Sequence, residues 1–169
     1  MAGKPAKGFV LYVDPSADPF GSGKIVRIVA SYAETELIAG APFVIGKDNI
    51  TPEFANKNPF KKQPVLQLPD GNCIFETSTI CRYLATLDPA KILAGQNPVH
   101  QARINSFIDS CLDSLQPASM AWLGPILGAI DFNGEVHKNA LLEVKSYLAA
   151  LNTQIGRHTS ELQSRGHLV

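Results

Sequence analysis

The sequence predicts an α/β domain with a mixed sheet, followed by an all-α domain. Short β-rich runs alternate with helical periodicity up to about residue 88, and no strand pattern is found after residue 98. Apolar residues make up 45% of the chain and charged residues 18%, which is the composition of an ordinary globular protein. We expect these two parts at 1–88 and 99–157, joined by a linker over 89–98 and followed by an irregular tail over 158–169.

The charge and hydropathy of the chain exclude several classes of function. Fifteen Lys and Arg balance fifteen Asp and Glu, whereas a general binder of nucleic acid or acidic membranes needs a basic excess. No apolar run approaches the roughly 18 residues of a membrane span, and no secretory signal follows Met1. Cys73, Cys81 and Cys111 show no C-x-x-C spacing, which disfavours a disulfide framework or a zinc site and favours the reducing cytoplasm. We therefore expect no metal, no direct nucleic-acid binding and no membrane association.

The first part begins with two strand-like runs around a helix. Phe9–Val13 is rich in β-formers, and a helix follows from about Lys24. Its residues at helical spacing are Ile25, Ile28, Val29 and Tyr32. Leu37–Ile45 is a second strand-like stretch, and the proline within it favours an edge position.

A helix start, a hairpin and another helix complete the first part. Thr51 precedes Pro52, which is a signal for a helix start. Two short apolar runs flank the turn Pro69–Gly71 and predict a hairpin, and Thr77 and Ser78 begin the next helix. The order βαβ and then αββα predicts the mixed sheet.

Two long helices are expected after the linker. Ile104–Leu115 carries a wide apolar stripe, in a helix that we expect Asn97 to cap and Pro117 to end. A second striped helix is expected from about Asn133 to Gly156, where a glycine favours termination. The apolar segment between the two helices is expected to be a packed connection.

One glycine-rich segment has the position of a phosphate loop but lacks its chemistry. Gly21-Ser-Gly-Lys24 lies between a strand and a helix. Asp18 stands where that loop has a glycine, and Ile25 stands where it has the hydroxyl ligand of magnesium. We therefore interpret this segment as a plain helix entry.

The stretch from Asn58 to Ile80 is the most informative one. Its pattern N-P-x-x-x-x-P-x-L, the hairpin and a Glu at the helix start resemble the thioredoxin-like half of glutathione transferases. The resemblance implies a cis bond before Pro64, which turns the backbone of Gln63 towards the cysteinyl part of glutathione. It also implies sites for the other two parts of glutathione.

In that family the γ-glutamyl end binds where Glu76 and Thr77 lie, and some classes aim a lysine at the glycyl carboxylate, here Lys62. Free N–H groups at a helix start hold a carboxylate well, and Glu76 is able to pair with the ammonium group. The alternatives are helix capping at Glu76-Thr77-Ser78 and a solvated loop at Lys61 and Lys62.

A transferase also needs a group that stabilises the glutathione thiolate. The family supplies Tyr, Ser or Cys at the end of the first strand or in the following loop, where this chain has Tyr12, Ser16 and Ser22. None of the three matches the catalytic motif, and Tyr12 lies within the strand. We therefore expect a role other than catalysis.

The second half resembles the transferase-like domain of the elongation factor 1-gamma family. The specific feature is a P-A-S segment with Trp122, followed by the P-x-L-G of Pro125–Gly128. The whole resemblance covers about Phe9 to Arg157. It implies a thioredoxin-like N-terminal domain followed by an incomplete, all-α, glutathione-transferase-like C-terminal domain.

This resemblance implies a scaffold of the cytoplasmic elongation factor 1 complex, which docks the beta- and delta-type nucleotide-exchange subunits. The alternative is a glutathione transferase that adds glutathione to electrophiles. A third interpretation is an assembly appendage of an aminoacyl-tRNA synthetase. No cofactor is expected, although glutathione fits as a ligand or substrate, and a homodimer is compatible with each interpretation.

The helical domain of that family continues beyond the place of Arg157 into a further buried helix. We therefore expect this chain to be truncated at its C-terminal end and its long helices to expose apolar surface. Uncovered apolar side chains weaken a domain, so we expect the isolated chain to self-associate or to need a partner.

Overall fold

The mixed sheet is built around the first strand. In the computed structural model, which describes residues 8–18, 21–40 and 42–166, the strand order is β2-β1-β3-β4. β1 (Phe9–Tyr12) pairs parallel with β2 (Leu37–Ala39) and antiparallel with β3 (Val65–Gln67), and β3 pairs antiparallel with β4 (Cys73–Phe75). This is the predicted thioredoxin-like sheet, and its hairpin turns where Pro69–Gly71 predicted it.

Both faces of the sheet are covered by apolar side chains. α1 (Ser22–Tyr32) and α3 (Thr77–Thr86) cover one face, and the short α2 (Pro52–Ala55) lies on the other. The buried residues of the first cluster are Leu11, Val13, Val26, Ala30, Leu66, Ile80 and Leu84. The second cluster consists of Phe43, Phe54 and Val65, with Tyr12 packed against it. Because alternate residues of a strand point to opposite faces, Leu11 and Tyr12 belong to different clusters.

The apolar stripe predicted for α1 is wrong in part. Ile25, Ile28 and Tyr32 are exposed by 47%, 56% and 72%, whereas Val26 and Ala30 are buried. α1 has two apolar faces, and the one with small residues packs against the sheet because it permits the closer approach.

The second strand is shorter than the predicted Leu37–Ile45. It ends at Ala39, and the following backbone N–H groups bond to side chains instead of a strand. Val44 N–H donates to Asp48 and Ile45 N–H donates to Asp14. These bonds remove the donors that a continued ladder needs.

The C-terminal part is helical, as predicted. α4 (Pro98–Ser110) leads through a π-helical turn at Cys111–Leu115 into α5 (Gln116–Leu123), and α6 covers Gly134–Gly166. Asn97 caps α4 by accepting a hydrogen bond from His100 N–H at 2.9 Å, which confirms that prediction.

Pro117 does not end the helix, which corrects the prediction. It lies in the first turn of α5, directly after the π-helical turn. A proline offers no N–H to the carbonyl four residues earlier, and the wide turn, in which Gln116 N–H reaches Cys111 O, carries the chain past this gap. The segment predicted as a packed connection is therefore largely the helix α5.

The predicted helix end at Gly156 and the predicted irregular tail are also wrong. α6 continues through Gly156 to Gly166, and the last three residues of the tail lie outside the described residues. Gly156 does not adopt the left-handed conformation of a helix C-cap, so it stays within the helix.

The chain divides into two compact units between Ile104 and Asn105. This boundary falls within α4, after the linker expected at 89–98. The described side chains that are buried and apolar in the second unit are Ala118, Ala140 and Val144. Many other apolar residues of its helices are exposed, among them Phe107, Val136 and Leu148, which confirms the predicted apolar surface.

Candidate functional site

The Gln63–Pro64 peptide bond is cis, as predicted. Pro64 is buried directly before β3, and the loop that leads to it is held by the side chain of Asn58. Asn58 is 1% exposed, donates to Lys62 O at 2.8 Å and accepts from Phe60 N–H at 3.0 Å. The Asn of the N-P-x-x-x-x-P pattern thus shapes the loop that carries Gln63.

The side chain of Gln63 fastens this loop to the segment after β1. Its Oε1 accepts a hydrogen bond from Asp14 N–H at 2.5 Å, and its Nε2 donates to Ala17 O at 2.9 Å. The main-chain N–H and C=O of Gln63 have no partner among the described residues. They are the groups that the family resemblance assigns to the cysteinyl part of glutathione.

Ser16 lies in the segment that Gln63 fastens, but its hydroxyl proton is already donated to a carboxylate. Ser16 Oγ donates to Asp14 Oδ1 at 2.6 Å, and Ser16 N–H bonds to the same oxygen at 2.9 Å. The bond from the Ser16 hydroxyl, followed by the bond from Ile45 N–H, lowers the pKa of Asp14 below its ordinary value. A serine hydroxyl has one proton, so Ser16 cannot donate to a thiolate while it is bound to this carboxylate.

Tyr12 lies on the opposite face of the sheet from α1 and α3. Its ring contacts Phe43 and Phe54 edge to face, and its hydroxyl donates to Gln67 Oε1 at 2.8 Å. The side chain of Tyr12 therefore has a packing role and a bonded hydroxyl.

Ser22 is the first residue of α1, whose start is occupied by a carboxylate of the chain itself. Asp18 Oδ1 accepts from Ser22 N–H at 2.7 Å, and Asp18 Oδ2 accepts from Gly23 N–H at 2.8 Å. A phosphate loop would leave these N–H groups to its ligand. The interpretation of this segment as a plain helix entry is therefore confirmed.

The start of α3 is different. Glu76 is its N-cap residue with a φ of 68° and a ψ of 123°, a conformation that residues other than glycine rarely adopt. Its side chain makes no capping bond, and the N–H groups of Thr77 and Ser78 have no acceptor among the described residues. Helix capping by Glu76 is therefore absent, and an anion would find free donors here.

Lys62 is exposed, and its main-chain carbonyl is bonded to Asn58. No contact of its ammonium group is seen among the described residues. Its role towards a glycyl carboxylate stays a prediction.

The thiols offer no reactive nucleophile in the first unit. Burial raises the pKa of Cys81 to about 11, and burial also raises the pKa of Cys73. Both groups are therefore mostly protonated at neutral pH. Among the described residues no three His, Cys, Asp or Glu side chains converge to hold a metal ion.

Sequence reasoning found the cis bond and the start of α3 but missed Asp14, Asp18 and the side-chain role of Gln63. The bonds of Gln63 join residues that are 46 and 49 positions apart. No local pattern carries such a signal, although the family motif already contained Asn58.

Comparison with known proteins agrees with this geometry. The family model described as glutathione S-transferase, N-terminal domain, matches residues 25–86. A probable elongation factor 1-gamma 1 of Arabidopsis thaliana is 31% identical over 138 residues, or 82% of this chain and 33% of its own. Elongation factor 1-gamma of Danio rerio is 34% identical over 136 residues, or 79% of this chain and 30% of its own. The chain thus spans about a third of the length of these relatives.

Solved structures show the same fold. Ure2p in complex with glutathione has a TM-score of 0.76 at 19% identity, with 95% of this chain and 74% of that chain covered. Glutathione transferase F2 of Populus trichocarpa has a TM-score of 0.71 at 20% identity, with coverage of 88% and 71%. Among the described residues, no helix has both the length and the apolar character needed to cross a membrane. In sequence, the chain is thus similar to glutathione S-transferase N-terminal domains over residues 25–86 and to elongation factor 1-gamma proteins at 31–34% identity, and its fold is like that of the glutathione transferases.

Proposed function

We propose that this chain is a transferase-like interaction domain of the elongation factor 1 complex, which docks the beta- and delta-type nucleotide-exchange subunits in the cytoplasm. The sequence similarity to elongation factor 1-gamma carries this proposal. The exposed apolar side chains of the second unit supply a surface for a protein partner.

The state of the three candidate hydroxyl groups supports an interaction role over catalysis. The hydroxyl of Tyr12 is bonded to Gln67, and that of Ser16 is bonded to Asp14. Ser22 lies in the first turn of α1, where Asp18 already fills the anion position with its carboxylate. A negative charge at that position opposes the approach of a thiolate.

Binding to purified exchange subunits tests the proposal. The full chain is mixed with a beta- or delta-type subunit, and the complex is measured by size-exclusion chromatography with light scattering. Glutathione transferase F2 of Populus trichocarpa, which has the same fold, is the control. We expect a stable complex with this chain and none with the control. Conjugation of glutathione to an aromatic chloride, without any complex, would favour the transferase instead.

Glutathione binding is a second candidate, and the start of α3 favours it. Free N–H groups of Thr77 and Ser78 lie beside the unusual φ of Glu76, and the main chain of Gln63 is also unpaired among the described residues. The family resemblance assigns the first of these groups to the γ-glutamyl end of glutathione and the main chain of Gln63 to its cysteinyl part. Binding without turnover is compatible with the scaffold role.

A thermal shift measures this binding. Glutathione at millimolar concentration should raise the melting temperature of the full chain by mass action on the native state. Glu76→Gln should reduce the rise, because it removes the carboxylate that pairs with the ammonium group of glutathione. Glu34→Gln is the matched control, because Glu34 also has a positive φ, of 52°, and is exposed elsewhere in the unit. A parent chain that shows no rise would contradict glutathione binding and leave the docking proposal intact.

A further inference from the structure

A cavity of about 480 Å³ lies between α2 and the β3–β4 hairpin. Glu53, Asn56 and Lys57 line it on one side, and Pro59, Cys73 and Phe75 contribute further walls. It lies on the face of the sheet opposite α1 and α3, with Cys73 and Phe75 packed against the second apolar cluster. None of the residues assigned to glutathione belongs to it.

Neutral groups hold the ammonium of Lys57 in place at this cavity. Lys57 Nζ donates to Gln67 Oε1 at 2.8 Å and lies 5.0 Å from the centre of the Tyr12 ring. The hydroxyl of Tyr12 bonds to the same Gln67 oxygen, which fixes that oxygen in turn. An ammonium group has three N–H donors, so this arrangement leaves donors for a ligand.

Glu53 lines the same cavity four residues before Lys57. Glu and Lys at this spacing commonly pair within a helix, but Lys57 lies two residues beyond the end of α2. Here the pair is not formed, because Lys57 is turned towards Gln67 and Tyr12, and no carboxylate among the described residues lies within 4.0 Å of its ammonium. The cavity therefore presents one positive and one negative group that do not neutralise each other.

We propose that this cavity binds the zwitterionic head of an α-amino acid with an apolar side chain. Lys57 receives the carboxylate, Glu53 receives the ammonium, and Pro59 and Phe75 contact the side chain. Glu53 repels polyanions such as nucleotides, and Lys57 repels simple cations, so a ligand with one charge of each sign fits best.

Two charge contacts at a solvent-open cavity and one apolar contact make a weak site. Exposed ion pairs contribute little each, so we expect a Kd on the order of 1 mM. This site is independent of the elongation-factor proposal and of glutathione binding.

The test uses L-phenylalanine and two derivatives with the full chain. N-acetyl-L-phenylalanine lacks the ammonium group and L-phenylalaninamide lacks the carboxylate. Binding is followed by chemical shifts in two-dimensional NMR spectra of the labelled protein. We expect saturable shifts of the cavity residues with L-phenylalanine, and binding about tenfold weaker for each derivative, since each loses one charge contact.

Variants locate the site. Lys57→Met should weaken binding of L-phenylalanine about tenfold, and Glu53→Gln should weaken it several-fold. Lys47→Met and Glu34→Gln are matched controls outside the cavity and should bind like the parent chain. Glu53 is exposed and has no described partner, so its variant stays informative if Lys57→Met unfolds the protein.

Three results would overturn the proposal. The first is the absence of saturable shifts up to about 10 mM L-phenylalanine, well above the expected Kd. The second is equal binding of either derivative and the parent amino acid. The third is unchanged binding to Glu53→Gln.

Discussion

The two units of the molecule bury their apolar residues to different extents. In the first unit twelve described apolar side chains are buried, whereas the second unit buries Ala118, Ala140 and Val144. The first unit gains its core from a sheet covered on both faces. The second unit consists of helices, and their apolar stripes are wider than the surface that the other described residues cover. Large side chains such as Phe107 and Leu148 therefore stay exposed. Periodic apolar stripes therefore predict helices more reliably than they predict a closed core.

This contrast predicts that stability resides mainly in the first unit. Leu66 is fully buried in the first apolar cluster, and Leu66→Ala should lower the free energy of unfolding of that unit by about 2–5 kcal/mol. Urea unfolding followed by far-ultraviolet circular dichroism reports this loss.

Trp122 provides the internal control for Leu66→Ala. It is the single tryptophan of the chain and lies in the second unit, so its fluorescence reports the unfolding of that unit. We expect Leu66→Ala to leave the urea midpoint of the fluorescence transition at its value in the parent chain. Equal shifts of both transitions would show that the two units unfold together and would break the comparison.

A matched pair of valines sharpens the comparison. Val65 is 0% exposed in the first unit and Val144 is 5% exposed in the second. Val65→Ala should lower the free energy of unfolding of the first unit by about 1.5–3 kcal/mol. Val144→Ala should shift only the unfolding transition that is followed by Trp122 fluorescence, because Val144 lies in the second unit.

Hydrogen exchange of the parent chain checks the same contrast without substitution. We expect strong protection over 9–87 and weak protection over 99–157, since local stability follows buried apolar contacts. Uniform protection in a monodisperse monomer would contradict both this prediction and the expected self-association.

The caps of two helices give a smaller, matched effect. Asp18 accepts from two N–H groups of α1 at 2.7 and 2.8 Å, and Asn133 accepts from two N–H groups of α6 at 3.1 Å each. Removal of either cap by an Ala substitution should cost about 0.5–2 kcal/mol. Asp18→Ala should cost more, because a carboxylate also interacts with the helix dipole. A larger loss of stability for Asn133→Ala than for Asp18→Ala would contradict the expected order of the two caps.

Local patterns were sufficient for part of this molecule. The hairpin, the caps at Thr51 and Asn97, and the cis bond before Pro64 all follow from residues that are close in sequence. The helix α1 shows where such patterns fail, since Ile25 and Val26 are equally apolar and only packing against the sheet selects Val26 for burial.

The parts that sequence reasoning missed depend on distant contacts. Gln63 bonds to Asp14 and Ala17 across more than forty residues, and these bonds fasten the loop before Pro64 to the segment that carries Ser16. The passage of α6 through Gly156 is a different case. Glycine is permitted in a helix as well as at its end, so its presence alone does not decide where the helix stops.

The smallest expected effect is a dependence of the first unit on acid. Asp88 accepts hydrogen bonds from the N–H groups of Leu93, Ile92 and Ala90, which lower the pKa of its carboxyl group below the ordinary 3.8. The pKa of Asp14 is lowered in the same direction, first by the hydroxyl of Ser16. The unfolded chain therefore binds protons more readily at these two positions than the folded chain does.

The contribution of these carboxylates is present above the unfolded pKa and is lost as the pH falls through the folded pKa. We therefore expect the free energy of unfolding of the first unit to decrease below about pH 4, measured by urea unfolding with circular dichroism at several pH values. Asp88→Asn and Asp14→Asn should each reduce this dependence, because an amide does not titrate. A variant that keeps the full acid sensitivity would show that its carboxylate does not contribute, and Glu34→Gln, at an exposed position of the same unit, is the control for removal of one charge.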